Sequence, residues 1–144
     1  MIVSRESIAP LDFDGLRIFD YTAGRSVSSS IAFIEVRPGV RHKEAWSRRS
    51  DKYYLVVSGE VAFVLEGEEH SLSAGDFCLV ERGRRFSYAN KSGEPAKLVL
   101  VHTPSFELSE EVFVDFRPRR NGADSRRIAA GARACRRCRS SGSA

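Results

Sequence analysis

The sequence predicts an all-β protein, built as a sandwich or barrel of many short strands. Three observations lead to this fold class. Short segments rich in β-branched and aromatic residues recur at intervals of about 8 to 12 residues. Turn residues such as glycine, proline and asparagine separate these segments. Before residue 117, no stretch carries an apolar stripe with the 3.6-residue period of an amphipathic helix.

The predicted strands follow one another through the first four fifths of the chain. In each strand, apolar residues either alternate with polar ones or follow one another, and the strand ends at residues that favour a turn. They are 16–21, 31–37, 52–57, 61–65, 70–72, 77–80, 86–89, 96–102 and 111–116. Gly39, Gly59 and Gly75 mark three of the turns. We expect residues 1–30 to form edge strands and loops, and residues 31–116 to form the barrel.

The C-terminal segment, residues 117–144, differs in composition from the rest. It holds nine arginines and one acidic residue, Asp124, and after Ile128 it has no large apolar residue. Such a segment cannot offset the entropy lost on ordering, so we predict that it is disordered. Without it the chain carries a net charge of −4, so the overall +4 does not indicate a fold that recognises nucleic acid specifically. Cys135 and Cys138 form a lone C-x-x-C pair, too few thiols for a structural zinc site.

Length and composition predict one soluble domain. The chain has 144 residues, with 42% apolar and 29% charged side chains, as in ordinary globular proteins. No apolar run approaches the roughly 20 residues that cross a membrane as a helix. The first residues lack a signal-peptide pattern, so we expect a cytoplasmic protein. The three cysteines, an odd number, argue against a disulfide framework.

Two stretches carry a pattern of turns and strands that points to one family. The first runs from Pro38 to Gly59, PGVRHKEAWSRRSDKYYLVVSG, and the second begins at Gly75 and ends at Asn90, GDFCLVERGRRFSYAN. Together they resemble the two motifs of the cupin family, and Gly75, Gly83 and Asn90 keep the spacing of the second motif without gaps. The resemblance covers 31–116 and implies a cupin-like jelly-roll β-barrel. It also implies a homodimer, because cupins commonly pair through their edge strands.

Cupins usually hold a metal ion, but the ligand positions of the pattern hold other residues here. The family has two histidines, a glutamate and a third histidine where this chain has Ala45, Ser47, Lys52 and Phe86. Alanine and phenylalanine have no ligand atom, serine is a poor ligand, and an ammonium group repels a divalent cation. We therefore expect no metal and no other cofactor.

His42 offers an alternative to the lost metal site. It lies three residues before the first ligand position, and a loop shift would bring it into the barrel with Glu44 and His102. Two imidazoles and a carboxylate would suit zinc or iron and would make the protein a metalloenzyme. Otherwise His42 is a surface loop residue and His102 lies at the edge of the core.

Residues in phase with the lost ligand positions should face the inside of the barrel, because side chains alternate along a strand. They would present an apolar cavity with a few polar groups, which is typical of a small-molecule site. The expected ligand-binding residues are Lys52, Tyr54, Phe86 and Tyr88 in the barrel and Trp46 and Arg48 in a loop at its mouth. A lysine among aromatic rings favours an anionic or carbonyl-bearing ligand. In the alternative, Lys52 pairs with an acid such as Glu44 and only holds the barrel shut.

These residues leave two classes of function. We favour a metal-independent barrel that binds a small molecule. The alternative is an isomerase, epimerase, cyclase or lyase of a small metabolite, because a buried lysine or histidine can act as an acid or a base. The candidate catalytic residues are Lys52, His42, His102 and Tyr54.

Overall fold

Two antiparallel sheets make up the computed structural model, which describes residues 1–116 and 126–128 and the side chains of residues 1–114. The strands are β1 (Leu11–Phe13), β2 (Leu16–Asp20), β3 (Ser30–Val36), β4 (Arg41–Ser47), β5 (Asp51–Ser58), β6 (Glu60–Leu65), β7 (Glu68–Ser73), β8 (Phe77–Val80), β9 (Phe86–Ala89), β10 (Ala96–Thr103), β11 (Glu111–Phe116) and β12 (Arg126–Ile128). Sheet one has the order β1-β2-β3-β10-β5-β8, and sheet two has the order β12-β11-β4-β9-β6-β7. Two short 3-10 turns, Arg5–Ser7 and Leu108–Glu110, lie between strands or before them.

The core lies between the two sheets, where the strands turn their apolar residues inward. On β5 the alternation is regular, because Lys52, Tyr54 and Val56 are buried and the residues between them are exposed. In sheet two, the rings of Phe63 and Tyr88 stack with their centroids 5.6 Å apart. The Tyr54 ring of sheet one meets the Phe63 ring edge-on at 5.3 Å. This aromatic packing joins the two sheets into one barrel.

Asn90 and Gly59, both part of the cupin pattern, hold the turns that connect the strands. The buried Asn90 amide donates hydrogen bonds to the carbonyl oxygens of Val36, at 2.9 Å, and Glu94, at 2.7 Å. Gly59 has a φ of 77°, and a Cβ atom there would lie 2.6 Å from the carbonyl oxygen of Pro95. A side chain at this position would therefore be strained and would also clash with backbone.

The predicted all-β jelly roll is confirmed, and β8, β9 and β11 have the predicted bounds. Three strands, β1, β4 and β12, were not predicted. The stretch RHKEAWS of β4 was interpreted as a loop at the mouth of the barrel, and that interpretation is wrong. Its charged residues hide the apolar alternation by which the other strands were found.

The predicted disordered segment, residues 117–144, lies outside the described residues except for the three residues of β12. That strand pairs with β11 and was not predicted. Cys135 and Cys138 also lie outside the described part of the chain. Within the described part, no helix is long and apolar enough to cross a membrane.

Candidate functional site

A cavity of about 250 Å³ lies between the two sheets. Most of its lining is apolar or aromatic. Its polar side chains come from both sheets and include His42, Lys52, Tyr54, Tyr88, His102 and Glu111. Leu11, Phe106 and Leu108 line the cavity and are exposed, so they mark its mouth. Pockets for drug-sized ligands span about 300 to 1,000 Å³, so this cavity has the size for a smaller metabolite.

A β-bulge in β4 turns His42 into the cavity. In the pairing of β4 with β9, His42 lies opposite Tyr88 and Ala45 lies opposite Phe86, so three steps along β4 match two along β9. Side chains alternate with a period of two, so an unbulged strand would send His42 and Ala45 to opposite sides of the sheet. The extra residue brings both to the inner side. Of the two positions considered for His42 from the sequence, the structure has the inward one.

The His42 imidazole is neutral and packs among aromatic rings. Its ring centroid lies 5.0 Å from that of Tyr88 and 5.1 Å from that of Phe86. Burial lowers the pKa of His42 from 6.5 to about 4. Its Nδ1 lies 2.6 Å from the carbonyl oxygen of Lys43. Because a carbonyl only accepts, Nδ1 carries the hydrogen and Nε2 keeps a lone pair that can accept a proton.

A buried ionic cluster of Lys52, Glu111 and His102 links the sheets on another part of the cavity wall. The Lys52 Nζ donates to Oε2 of Glu111 at 2.7 Å and contacts Nε2 of His102 at 3.0 Å. Burial lowers the pKa of Lys52, and the Glu111 carboxylate opposes that shift. Burial and the Lys52 ammonium lower the pKa of His102 to about 3, so this imidazole stays neutral and accepts from Lys52. The charges of the ammonium and the carboxylate cancel within the cluster.

Two polar atoms on the cavity wall make no hydrogen bond of normal geometry to a described residue. They are the hydroxyl oxygen of Tyr88 and Oε1 of Glu111, and both side chains are buried. Most buried polar groups in proteins are paired, so each of these atoms needs a partner such as a ligand or a water molecule. Burial raises the pKa of Tyr88 and of Tyr54, so both phenols keep their protons and can donate.

The structure brings most of the predicted binding residues together. Lys52, Tyr54, Phe86, Tyr88 and His102 all line the cavity. That they contact a ligand stays a prediction. Their convergence follows from strand alternation, since Lys52 and Tyr54 share one face of β5 and the two aromatic residues share one face of β9.

Trp46 and Arg48 do not line the cavity. Trp46 lies within β4 opposite Val112, and the strand alternation that turns Ala45 inward turns Trp46 outward. The guanidinium carbon of Arg48 lies 5.7 Å from the centroid of the Trp46 ring. Trp46 was predicted in a loop at the mouth but lies in β4, whereas Arg48 lies in the bend after β4 and does not line the cavity.

The four positions at which cupins hold their metal do not fit a metal ion. Ala45, Ser47, Lys52 and Phe86 are all buried, and two of them have no ligand atom. The Ser47 hydroxyl accepts hydrogen bonds from two backbone N–H groups of the turn that follows. The Lys52 ammonium is held by Glu111 and would repel a divalent cation.

The alternative metal set of His42, Glu44 and His102 is not brought together either. Glu44 does not line the cavity that the two histidines share. Among the residues whose side chains are described, no group of three or more His, Cys, Asp or Glu could hold a metal ion. The Nε2 of His102 is also occupied by Lys52.

Glu111 lines the cavity but was not among the site residues predicted from the sequence. The alternative for Lys52 was a pair with an acid such as Glu44, and the structure supplies Glu111 from β11 as the partner. The segment EVFVDF indicates that Glu111 faces inward, because Glu111 and Phe113 are two residues apart and share one face of the strand. Phe113 also lines the cavity. A glutamate in phase with the apolar face of a strand, in a barrel with an inward lysine, is a candidate for a buried ion pair.

The comparisons with known proteins agree with the geometry of the barrel. The family model of the cupin domain matches residues 32–102. This protein is a cupin. The tetracenomycin polyketide synthase protein TcmJ of Streptomyces glaucescens is 29% identical to this cupin over 124 residues, which cover 84% of this chain and 83% of TcmJ.

Among solved structures, this cupin is similar to Pac13 of Streptomyces, described as a unique nucleoside dehydratase. The TM-score is 0.71 at 25% identity, over 81% of this chain and 92% of Pac13. A Pac13 variant with glutamine in place of a histidine, solved with uridine, gives a TM-score of 0.69 at 26% identity, over 78% of this chain and 89% of that one. A sugar phosphate isomerase from Silicibacter pomeroyi, at 18% identity and a TM-score of 0.66 over 81% of this chain and 83% of the isomerase, shares the fold.

Proposed function

We propose that this cupin binds a small metabolite in its cavity and catalyses a proton transfer on it, as a lyase or isomerase, with His42 as the general base. The observation that carries the proposal is the neutral imidazole of His42, which is partly buried and lines the cavity. Its Nδ1–H is held by the Lys43 carbonyl, and Nε2 is left to accept a proton. Lys52 is bonded to both His102 and Glu111, so we assign Lys52 and His102 to binding rather than to proton transfer.

An elimination of water shows what this site can do. Nε2 of His42 takes a proton from a carbon next to a carbonyl group, and the C–H electrons form a carbon–carbon double bond. The hydroxyl on the following carbon leaves together with the proton that the imidazolium returns, so the products are an unsaturated carbonyl compound and water. The low pKa of His42, about 4, makes its imidazolium a ready donor for this second transfer.

The phenols of Tyr54 and Tyr88 supply the hydrogen-bond donors that this reaction needs. Negative charge develops on the carbonyl oxygen when the neighbouring carbon loses its proton, and a positioned donor stabilises that charge. Both phenols are buried on the cavity wall and stay protonated. The Tyr88 hydroxyl interacts with that of Tyr54 but makes no hydrogen bond of normal geometry to a described residue, so it is available to a ligand.

The similarity to Pac13 supports the dehydratase form of this proposal and a nucleoside-like substrate. Pac13 is described as a nucleoside dehydratase, and its histidine variant was solved with uridine. Flat aromatic side chains around the cavity suit a planar base. A nucleoside would need a carbonyl group on its sugar to undergo this elimination, because only a carbonyl makes the adjacent C–H acidic enough.

The test combines uridine binding with turnover of uridine oxidised to a carbonyl on its sugar. Calorimetry measures binding, and mass spectrometry follows the loss of one water molecule from the oxidised compound. We expect His42→Gln to lower the rate about 10²- to 10⁴-fold, as for loss of a general base, while uridine binding changes only a few-fold.

His70→Gln is the matched control, because His70 is exposed and lies outside the cavity. It should leave both binding and turnover unchanged. A His42→Gln variant that keeps the wild-type rate would overturn the assignment of His42. Absence of uridine binding by the wild-type protein would overturn the nucleoside form of the proposal.

The outer face of sheet one supports the homodimer expected from the resemblance. Five large apolar side chains on this face are 36 to 56% exposed, although a sheet face in contact with solvent is normally polar. They are Tyr53, Leu55 and Val57 of β5 and Phe77 and Leu79 of β8. We propose that a second copy of the chain covers this apolar outer face. Light scattering should find a dimer in the wild type and a monomer in Leu55→Lys; a monomeric wild type would contradict the proposal.

The cytoplasmic location stays a prediction from the sequence.

A further inference from the structure

We infer that the Lys52–Glu111 pair recognises a hydroxyl group of a neutral ligand and selects such ligands over phosphorylated or carboxylated ones. This inference rests on the proposed function, because it names the ligand class of the same cavity. Of the anionic or carbonyl-bearing ligand expected from the sequence, it replaces the anionic alternative. That expectation considered Lys52 without its partner, Glu111.

The first observation is the unpaired oxygen of Glu111. The side chain is 1% exposed and lines the cavity, and its Oε2 is bound to Lys52 at 2.7 Å. Its other oxygen, Oε1, has no hydrogen-bond partner among the described residues. A buried carboxylate oxygen without a partner is costly, and a donor on a bound ligand would satisfy it.

The second observation is the number of donors on Lys52. A lysine ammonium has three N–H groups, and Glu111 and His102 account for two of them. A ligand hydroxyl can accept from the third N–H and donate its own hydrogen to Oε1 of Glu111. A phosphate or carboxylate has only acceptors at neutral pH and cannot do both.

The charges around this position disfavour anions. The Lys52 ammonium and the Glu111 carboxylate cancel, and both histidines of the cavity are neutral at neutral pH. Asp20 also lines the cavity, and its Oδ1 is bound to the backbone N–H and the hydroxyl of Thr22. Lys52 is the only lysine or arginine among the described residues that line the cavity, and it is already paired, so an anion beside Oε1 would meet carboxylates without compensation.

Phe86 connects this position to His42. The Lys52 Nζ lies 5.4 Å from the centroid of the Phe86 ring, and the His42 ring centroid lies 5.1 Å from the same centroid. A ligand that lies along the Phe86 ring would reach both the Lys52–Glu111 pair and the base. One hydroxyl would then fix the ligand while another part of it faces His42.

The first arm of the test uses the wild-type protein and needs no variant. Calorimetry compares uridine with 2′-deoxyuridine, 3′-deoxyuridine, 5′-deoxyuridine and uridine 5′-monophosphate. We expect at least one deoxy analogue to bind about tenfold or more weakly, as for loss of a hydrogen bond to a charged group. The monophosphate should also bind about tenfold or more weakly than uridine.

The second arm uses the double variant Lys52→Met with Glu111→Leu, because apolar replacement of a whole buried pair is commonly tolerated. Its affinities for uridine and the deoxy analogues should agree within about twofold. Glu107→Gln is the control: it removes a carboxylate that is exposed and lies outside the cavity, and it should keep the wild-type discrimination.

Three outcomes decide the inference. Hydroxyl discrimination in the wild type that disappears in the double variant supports it. If uridine binds but every analogue and the monophosphate bind equally well, the inference is overturned, and the proposed function still stands on the His42→Gln result. If neither uridine nor any analogue binds, the inference and the nucleoside form of the proposed function fall together.

Discussion

His42 in sheet two and His102 in sheet one both line the wall of the same cavity, and both are neutral. They differ in what their ring nitrogens contact. The Nδ1 of His42 is bonded to a backbone carbonyl, which leaves Nε2 for a substrate. The Nε2 of His102 contacts the Lys52 ammonium. Burial alone therefore does not distinguish a base from a positioning group; the partner of each nitrogen does.

The largest expected effect comes from breaking the ionic cluster on the His102 side. Lys52→Met leaves the Glu111 carboxylate buried without its cation, so we expect a loss of about 3–5 kcal/mol in the free energy of unfolding. Urea unfolding measures this loss. The double variant with Glu111→Leu should recover most of it. A single variant within about 1 kcal/mol of wild type would show that the pair is not held as an ammonium and a carboxylate.

The next effect is a loss of stability in acid that both histidines share. An unfolded histidine takes up a proton near pH 6.5, whereas His42 does so only near pH 4 and His102 near pH 3. The unfolded state therefore binds more protons in this range, and stability falls as the pH drops through it. From its pKa, His42 accounts for about 3 kcal/mol, lost between about pH 6.5 and pH 4.

Urea unfolding at several pH values between about 7 and 5 checks this dependence. His42→Gln should have a shallower slope than wild type, because one of the two protonation sites is gone. His70→Gln removes an exposed histidine and should keep the wild-type slope. Equal slopes in all three proteins would mean that His42 is not buried as a neutral ring.

The smallest effect concerns the unpaired hydroxyl of Tyr88. Tyr88→Phe removes a buried polar atom that makes no hydrogen bond of normal geometry to a described residue, so stability should stay equal or rise by about 1 kcal/mol. Uridine affinity should fall at the same time. Tyr53→Phe, on the apolar outer face, should change neither quantity. A clear loss of stability in Tyr88→Phe would mean that the hydroxyl is bonded within the folded protein.

Much of the fold could be predicted because most strands have one apolar side and end in glycine turns. The segments FCLV, FSYA and EVFVDF gave the bounds of β8, β9 and β11. The inward residues Lys52 and Tyr54 followed from the alternation of β5. Local pattern was sufficient there, because each of these strands carries its apolar residues within its own segment.

The rest of the site depends on information that is not local. A bulge is a property of a strand pair, so the inward position of His42 depends on β9 as well as on β4. The burial of Glu111 depends on Lys52, which lies far away in the chain. Without the structure, a charged first residue of a strand is most simply taken as solvent-exposed.

The extra residue in β4 has a consequence for how this site changes during evolution. Loss of Lys43 or Glu44 would leave two steps between His42 and Ala45, equal to the two steps between Tyr88 and Phe86, so the bulge would disappear and both residues would still face inward. The loss of one codon here would thus leave the base in place without redesigning the barrel. In such a scaffold, the length of β4 can change by one residue while the chemistry of the site is kept.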